Sequence, residues 1–258
     1  MKVLFSPSEG KNISPSAQKP LQKMQKNLWE ELEPQMPQRK AVIEAYLEAL
    51  RENGDEVYKI FGVRKISPHE LELCKNLLHT PRTAAILLYD GVAYKALDFA
   101  SLGDGAQKFV RENVYIFSNL FGAVLADSPL PFYKLNQNYR GRGFGLQEIY
   151  KKTKTQMDEV LIGECVIDLR AEVYTKAYAL DFFHIRVEFL KNGKKLSHIA
   201  KHYRGIFLRH LAHAWAQGDR IEQQEVQCII KDMQMEGVEL SDIRTTPLAH
   251  TYVYQVQS

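Results

Sequence analysis

Apolar residues come in short runs along this chain, and the spacing within each run sets the element expected there. Lys2-Val3-Leu4-Phe5 reads as a strand that breaks into Ser6-Pro7-Ser8-Glu9-Gly10-Lys11. Residues 19–33 and 38–52 have helical composition, and Pro34 and Pro37 separate them because proline interrupts a helix. Ser67-Pro68-His69-Glu70 has the form of a capping box and predicts a helix to about Leu78. Upstream, a helix that turns at Gly62 gives residues 57–78 the outline of a helix-hairpin-helix, which an ordinary αα-hairpin shares.

Residues 83–91 and 114–122 are apolar runs bounded by turn signals, as in strands covered on both faces. Residues 132–138 and 164–169 predict two more strands, with a helix between them near 146–161. Asn192-Gly193 predicts a tight hairpin turn within 184–199, where Ile185, Val187 and Phe189 alternate with Arg186 and Glu188. The expected fold is α/β: a single compact mixed α/β domain over residues 1–258, with an N-terminal helical insertion at about 19–80.

The helix predicted over 197–218 carries the strongest local signal. Ile199, Tyr203, Ile206, Phe207, His210 and Ala214 share one face, and Lys201, Arg204, Gly205 and Arg209 fall on the opposite arc. Glycine costs a helix roughly 1 kcal/mol against alanine. A solvated face explains the cations but not that glycine, so close approach of a ligand to the backbone is expected at Gly205.

Net charge is only +3, but it is unevenly spread. Lys134, Arg140, Arg142, Lys151, Lys152 and Lys154 stand against one acid, Glu148, and residues 184–220 form a second basic block. Two such blocks suggest one positive surface facing an anionic partner. Cys74, Cys165 and Cys228 are scattered, which suits a reducing cytosol and argues against a disulfide framework. No apolar run approaches the roughly 18 residues that span a bilayer, and no charged-then-apolar leader is visible, so a cytoplasmic protein without membrane contact is expected. His198/His202 and His210/His213 have helical spacing but no acidic third ligand, so no metal site is expected. Gly141–Gly145 has the wrong spacing for a dinucleotide fingerprint, and 6–11 lacks the Walker glycine, so no cofactor is expected.

Read in order, FSPSEGK, YDGVAYKAL, IFSNLFG with PFYKLN, VIDLRAEVYTKA and AKHYRGIFLR resemble the YaaA family of peroxide-stress proteins. Ser6, Pro7 and Lys11 match the family's Ser-Pro-x-Lys segment, with two residues inserted before the lysine. Tyr89 and Gly91 match Tyr-x-Gly, and Ser118, Leu120 and Gly122 match Ser-Gly-Leu-Tyr-Gly, with Asn119 in place of glycine. Leu125-Ala126 stands where the family has Leu-Arg, and Tyr133-Lys134-Leu135 stands for Tyr-Arg-Leu. Glu172, Tyr174 and Lys176 match an acidic-x-Tyr-x-Lys stretch, and Lys201, Arg204, Gly205 and Arg209 match Lys-x-x-Arg-Gly-x-x-x-Arg.

The resemblance implies a cytosolic protein that limits peroxide and iron damage, with a positively charged cleft, a helix-hairpin-helix and sequence-nonspecific DNA binding. Ser6, Lys11, Tyr89, Ser118, Lys134, Lys201, Arg204, Gly205 and Arg209 are the expected ligand-binding residues. The alternative is an enzyme acting on a nucleotide, a nucleic-acid base or another small anion, with Lys11, Glu172, Tyr174 and Lys176 as catalytic candidates. Ser6, Lys11, Tyr89, Ser118 and Glu172 are expected to converge at the strand ends, where open sheets place ligands. A monomer is expected.

Overall fold

Val3, Leu4 and Phe5 are all buried because their strand lies mid-sheet with a parallel neighbour on each side. The computed structural model describes residues 1–13, 38–52, 54–194, 197–216 and 223–257. In chain order the first half runs β1 (Lys2–Phe5), α1 (Gln38–Arg51), α2 (Glu56–Phe61), α3 (Pro68–Lys75), β2 (Arg82–Ala84), α4 (Ala85–Leu88), α5 (Val92–Leu97) and α6 (Asp104–Asn113). Then come β3 (Val114–Ser118), β4 (Gly122–Leu125), β5 (Pro129–Pro131), α7 (Leu146–Leu161), β6 (Val166–Asp168) and α8 (Glu172–Ala177). The chain closes with β7 (His184–Lys191), α9 (Ser197–Ala216), α10 (Gln223–Asp232), β8 (Val238–Thr246) and β9 (Ala249–Val256).

The main sheet has the order β4-β3-β1-β6-β7-β9-β8. Its five inner strands are mutually parallel, while β4 and β8 pair antiparallel at the two edges. Numbered by sequence, the parallel strands lie in the order 2-1-3-4-5, which reverses direction between β1 and β6. Doubly wound sheets bind ligands in the crevice beyond the carboxyl ends of the strands at such a switch point. The fold is thus the mixed α/β domain that the sequence predicts, and it marks one place for a site.

Several expected elements are present, although the helix expected to run to about Leu78 ends at Lys75. The helix at Leu146–Leu161 is present, and Ser67 Oγ accepts from Glu70 N at 3.4 Å as the capping box requires. Two helices flank Gly62, whose φ of 69° caps α2. The expected helix over 19–33 lies outside the described residues.

Three expectations change. Residues 83–91 form the short β2 and one turn of helix, α4, rather than a continuous strand. An apolar run buried on every side has no polar face to reveal its period. Residues 132–138 are not a strand, because their backbone groups are satisfied from elsewhere. Tyr46 Oη donates to Lys134 O, Asn119 Nδ2 donates to Leu135 O, and Asn136 N donates to Ile60 O. The Asn192-Gly193 turn forms, with φ of 50° and 70°, but it closes on a single pair of hydrogen bonds between Lys191 and Lys194. Among the described residues no second strand follows it, and β7 pairs instead with β6 and β9.

The helix α9 is buried differently from its predicted face. Ala200, Phe207, Leu208, Leu211 and Ala212 are buried, whereas His210 is exposed. Gly205 is buried against α5: a Cβ there would overlap the Ala93 carbonyl oxygen and lie 2.9 Å from Ala96 Cβ. The glycine therefore admits a neighbouring helix, not a ligand. Gly205→Ala is expected to destabilise the fold by roughly 1–3 kcal/mol, the usual cost of overpacking, despite alanine's better helix propensity. Urea denaturation of the variant measures this, and unchanged or increased stability contradicts the packing role.

Candidate functional site

The turn after β1 is fastened to two other segments. Leu169 N donates to Leu4 O at 2.9 Å, and one step further Ala171 N donates to Ser6 Oγ at 2.8 Å, so the hydroxyl takes over where the strand pairing stops. Tyr94 Oη donates to Ser6 O at 2.9 Å. Ser8 Oγ donates to Asp90 O at 2.6 Å, and Asp90 N donates to Gly10 O at 2.9 Å. Side chains at Gly10 or Gly91 would not fit this seam, since a Cβ would meet Asp90 O in one case and Ser8 in the other. The Ser-Pro-Ser-Glu-Gly turn and the Asp-Gly turn are thus two halves of one structure.

Between that turn, the start of α5, the segment after β6 and the first turns of α9 lies a cleft of about 550 Å³. Ser6, Ser8, Glu9, Asp90, Gln137, Tyr174, His198, Lys201 and Arg204 supply its polar lining. A second cavity of about 230 Å³ adjoins it, lined by Arg170, Glu172, Arg186 and Glu188. Ala171, Lys201 and Arg204 line both, so the two cations stand at the junction.

Arg204 is poorly provided for. Its side chain is half-buried, and Nε is buried without a hydrogen-bond partner among the described residues. Burial pushes its pKa down, with Asp168 offsetting part of the effect. Both oxygens of Asp168 are engaged by Arg170. Arg170 N and Nε donate to Oδ1 at 2.9 and 2.8 Å, and the second guanidinium nitrogen donates to Oδ2 at 2.8 Å. Burial opposes the Asp168 carboxylate, yet the Arg170 guanidinium outweighs that and holds its pKa below the ordinary range.

Beneath the turn lies a separate network. Tyr89 Oη and Tyr133 Oη share a 2.8 Å hydrogen bond, and Ser118 Oγ shares another of 2.8 Å with Tyr133 Oη. Lys11 Nζ stands 4.3 Å from the Tyr133 ring centroid and 5.3 Å from that of Tyr89, and it donates to Ser8 O at 3.1 Å. Burial, then the Lys134 ammonium, brings Lys11 down to about 7. Ring faces favour the ammonium by about 0.5–2 kcal/mol, less than the opposing effect that such a displacement represents at about 1.4 kcal/mol per pH unit. Tyr174 Oη donates to Asn119 Oδ1 at 3.0 Å and to Gln137 Oε1 at 3.3 Å, and Asn119 Nδ2 donates to Leu135 O, so both ends of the Asn119 amide are engaged.

The expected convergence therefore divides. Ser6, Tyr174, Lys201 and Arg204 share the cleft, while Tyr89, Ser118 and Lys11 meet below it. Glu172 lies in the adjoining cavity, not with Lys11, and its exposed carboxylate pairs with Lys176 at 2.6 Å. Lys134 pairs with Glu70 at 3.1 Å. Arg209 donates to Leu97 O, Asp98 O and Ser101 Oγ at the end of α5 and the following turn, which makes it a tie between helices. Half of the first basic block is paired with carboxylates: Lys134 as above, Arg142 on Glu52 and Glu56, and Lys154 on Asp158 and Asp181; Arg140 donates to backbone carbonyls, and Lys151 and Lys152 are exposed. Glu9, Asp90, Gln137, Arg170 and Arg186 join the site without having been singled out by the sequence. The Asp-x-Arg at the end of β6 was the one readable signal among them. Among the described residues, no three His, Cys, Asp or Glu side chains are grouped to hold a metal, and no helix is long and apolar enough to cross a membrane.

A lysine whose folded pKa is depressed leaves the unfolded chain holding the extra proton between about pH 7 and the ordinary lysine range. Stability should therefore rise with pH across that window and flatten in Lys11→Met. Urea midpoints for both proteins at pH 7 and pH 9.5 measure the difference, and parallel profiles contradict a near-neutral Lys11.

Known sequences resemble this chain over most of its length. An uncharacterized protein of Campylobacter jejuni is 38% identical over 211 residues, covering 81% of this chain and 83% of its own. A UPF0246 protein of Corynebacterium glutamicum is 34% identical over 187 residues, covering 69% and 74%, and one of Streptomyces coelicolor is 29% identical over 183 residues, covering 67% and 70%. The profile described as peroxide stress protein YaaA matches residues 1–228. With that match and these relatives, the chain belongs to the YaaA family of peroxide stress proteins.

Proposed function

We propose that this monomeric, cytosolic peroxide stress protein limits iron- and peroxide-driven damage by binding DNA, with one phosphate held by Arg204 and Lys201 in the switch-point cleft. The buried, unpartnered Nε of Arg204 carries this reading. A buried donor left unsatisfied costs about 1–3 kcal/mol, more when charged, and a phosphate oxygen would remove that cost. Lys201, exposed beside it in the same cleft, adds a second positive charge. Contacts to phosphate carry no sequence information, so binding is sequence-nonspecific.

The contact is local rather than a broad basic surface, because Lys134, Arg142 and Lys154, half of the first basic block, already have carboxylate partners. At the α2–α3 turn, Gly62 N and Val63 N both donate to Tyr58 O, so those groups cap α2 and the reading rests on the cleft. A second reading, an enzyme acting on a nucleotide or nucleic-acid base there, is favoured by the carboxylates Glu9 and Asp90 in the cleft. A phosphate binder has no use for a carboxylate at Glu9, whereas acid–base chemistry does; Asp90 pairs with Lys95 at 3.6 Å.

Few counterions should be released on binding. The slope of log affinity against log salt is expected near −1, at about −0.9 per neutralised phosphate, rather than the roughly −5 or steeper of a face that neutralises six or more phosphates. Arg204→Ala should weaken duplex binding about tenfold or more, the worth of a charge-assisted hydrogen bond, with thermal stability unchanged. Arg142→Ala should bind like the unaltered protein. Fluorescence anisotropy titrations at several salt concentrations test all three, and equal losses from Arg142→Ala and Arg204→Ala contradict the cleft as the binding site.

A further inference from the structure

The cleft and its neighbour divide their chemistry in a way that a single phosphate does not explain. The cations Lys201 and Arg204 line both cavities; the carboxylates of the smaller one are paired, Glu172 with Lys176 and Glu188 with Arg186, whereas Glu9 and Asp90, the latter 3.6 Å from Lys95 Nζ, line only the larger one. An all-phosphate ligand would be repelled at the carboxylate end. A ligand that is anionic at one end and rich in N–H groups at the other matches both. Gln137 sharpens the distinction: its Oε1 accepts from Tyr174 Oη, so its Nε2 donors are left for the cleft. The larger cavity thus offers donors from Gln137 and acceptors from Glu9 and Asp90, the combination that reads the edge of a nucleobase. Pro7, Val92 and Val173 add apolar lining for a ring face.

Size agrees. Pockets for small organic ligands occupy about 300–1,000 Å³, and the larger cavity holds about 550 Å³ with about 230 Å³ adjoining it. A base within a duplex has its pairing edge occupied, so only an unpaired base can meet those donors and acceptors.

We infer that the two cavities together take one unpaired nucleotide, with its phosphate at the Arg204–Lys201 junction and its base in the larger cleft between Gln137 and the carboxylates of Glu9 and Asp90. The inference rests on the phosphate reading of Arg204 given above and adds the nucleoside. A free mononucleotide and an unpaired nucleotide within a strand share this chemistry, and binding measurements separate them.

Isothermal titration of the full chain with inorganic phosphate, adenosine, the four deoxynucleoside 5′-monophosphates, a twelve-residue single strand and a blunt duplex provides the test. A monophosphate should bind at least tenfold tighter than either phosphate or adenosine. Binding of the single strand but not of free monophosphates supports the inference with a strand as the source. Asp90→Asn should weaken the amine-bearing adenine, guanine and cytosine nucleotides severalfold relative to thymidine monophosphate, and leave inorganic phosphate unchanged. If monophosphates and the single strand bind no tighter than inorganic phosphate, while phosphate and duplex binding still require Arg204, the nucleotide inference fails and the proposed function stands. If no ligand depends on Arg204, both fail.

Discussion

Asp168 has two carboxylate oxygens, and Arg170 takes both. That allocation shapes the site more than any other contact. Arg170 is itself fixed, donating to Tyr178 O at 2.9 Å and lying 4.3 Å from the Phe117 ring centroid. A buried pair of this kind is weak evidence for stability, since well-packed apolar residues often serve as well. Its consequence is positional: Arg170 engages both oxygens of Asp168, and the Arg204 guanidinium, which forms no hydrogen bond through its buried Nε, stands at the junction of the two cavities. Asp168 and Glu188 offset only part of the effect of burial on Arg204.

The same edge explains why the chain needs its opening turn. The strands β1 and β6 part after Leu4 and Leu169, and Ser6 Oγ caps the parting by accepting from Ala171 N. Ser8 and Gly10 then bind the turn to Asp90 and Gly91, with no room for a side chain at either glycine. Below, Lys11 and the tyrosines form a support for this turn rather than a wall of the cleft. The family's short motifs therefore separate into those that build the cleft and those that hold its rim.

Much of this was readable from the sequence where one segment determines its own structure. Leu146–Leu161 shows its polar face, Ser67 and Glu70 announce a helix start, and Asn192-Gly193 dictates its own turn. What could not be read depends on distant partners. The role of Gly205 is set by Ala93, more than a hundred residues away, and the non-strand at 132–138 by Tyr46 and Asn119. Lys11 and Glu172 were expected together because both follow strand ends, yet one turns beneath the β1 turn and the other joins Arg186 beyond Arg170. The basic block at 134–154 looked like a surface for an anion, but Glu52, Glu56, Glu70 and Asp181, its partners, lie outside that stretch. Net charge along a sequence does not reveal which charges are already spoken for.

The central claim is that Arg204 holds an anion at the junction of the two cavities. Crystals soaked in tungstate, a phosphate analogue with a strong anomalous signal, test it most directly. The account predicts a peak within hydrogen-bond distance of Arg204 Nε and close to Lys201 Nζ. An empty cleft with tungstate instead on Arg140, Arg142 or the turn at Gly62 would contradict it.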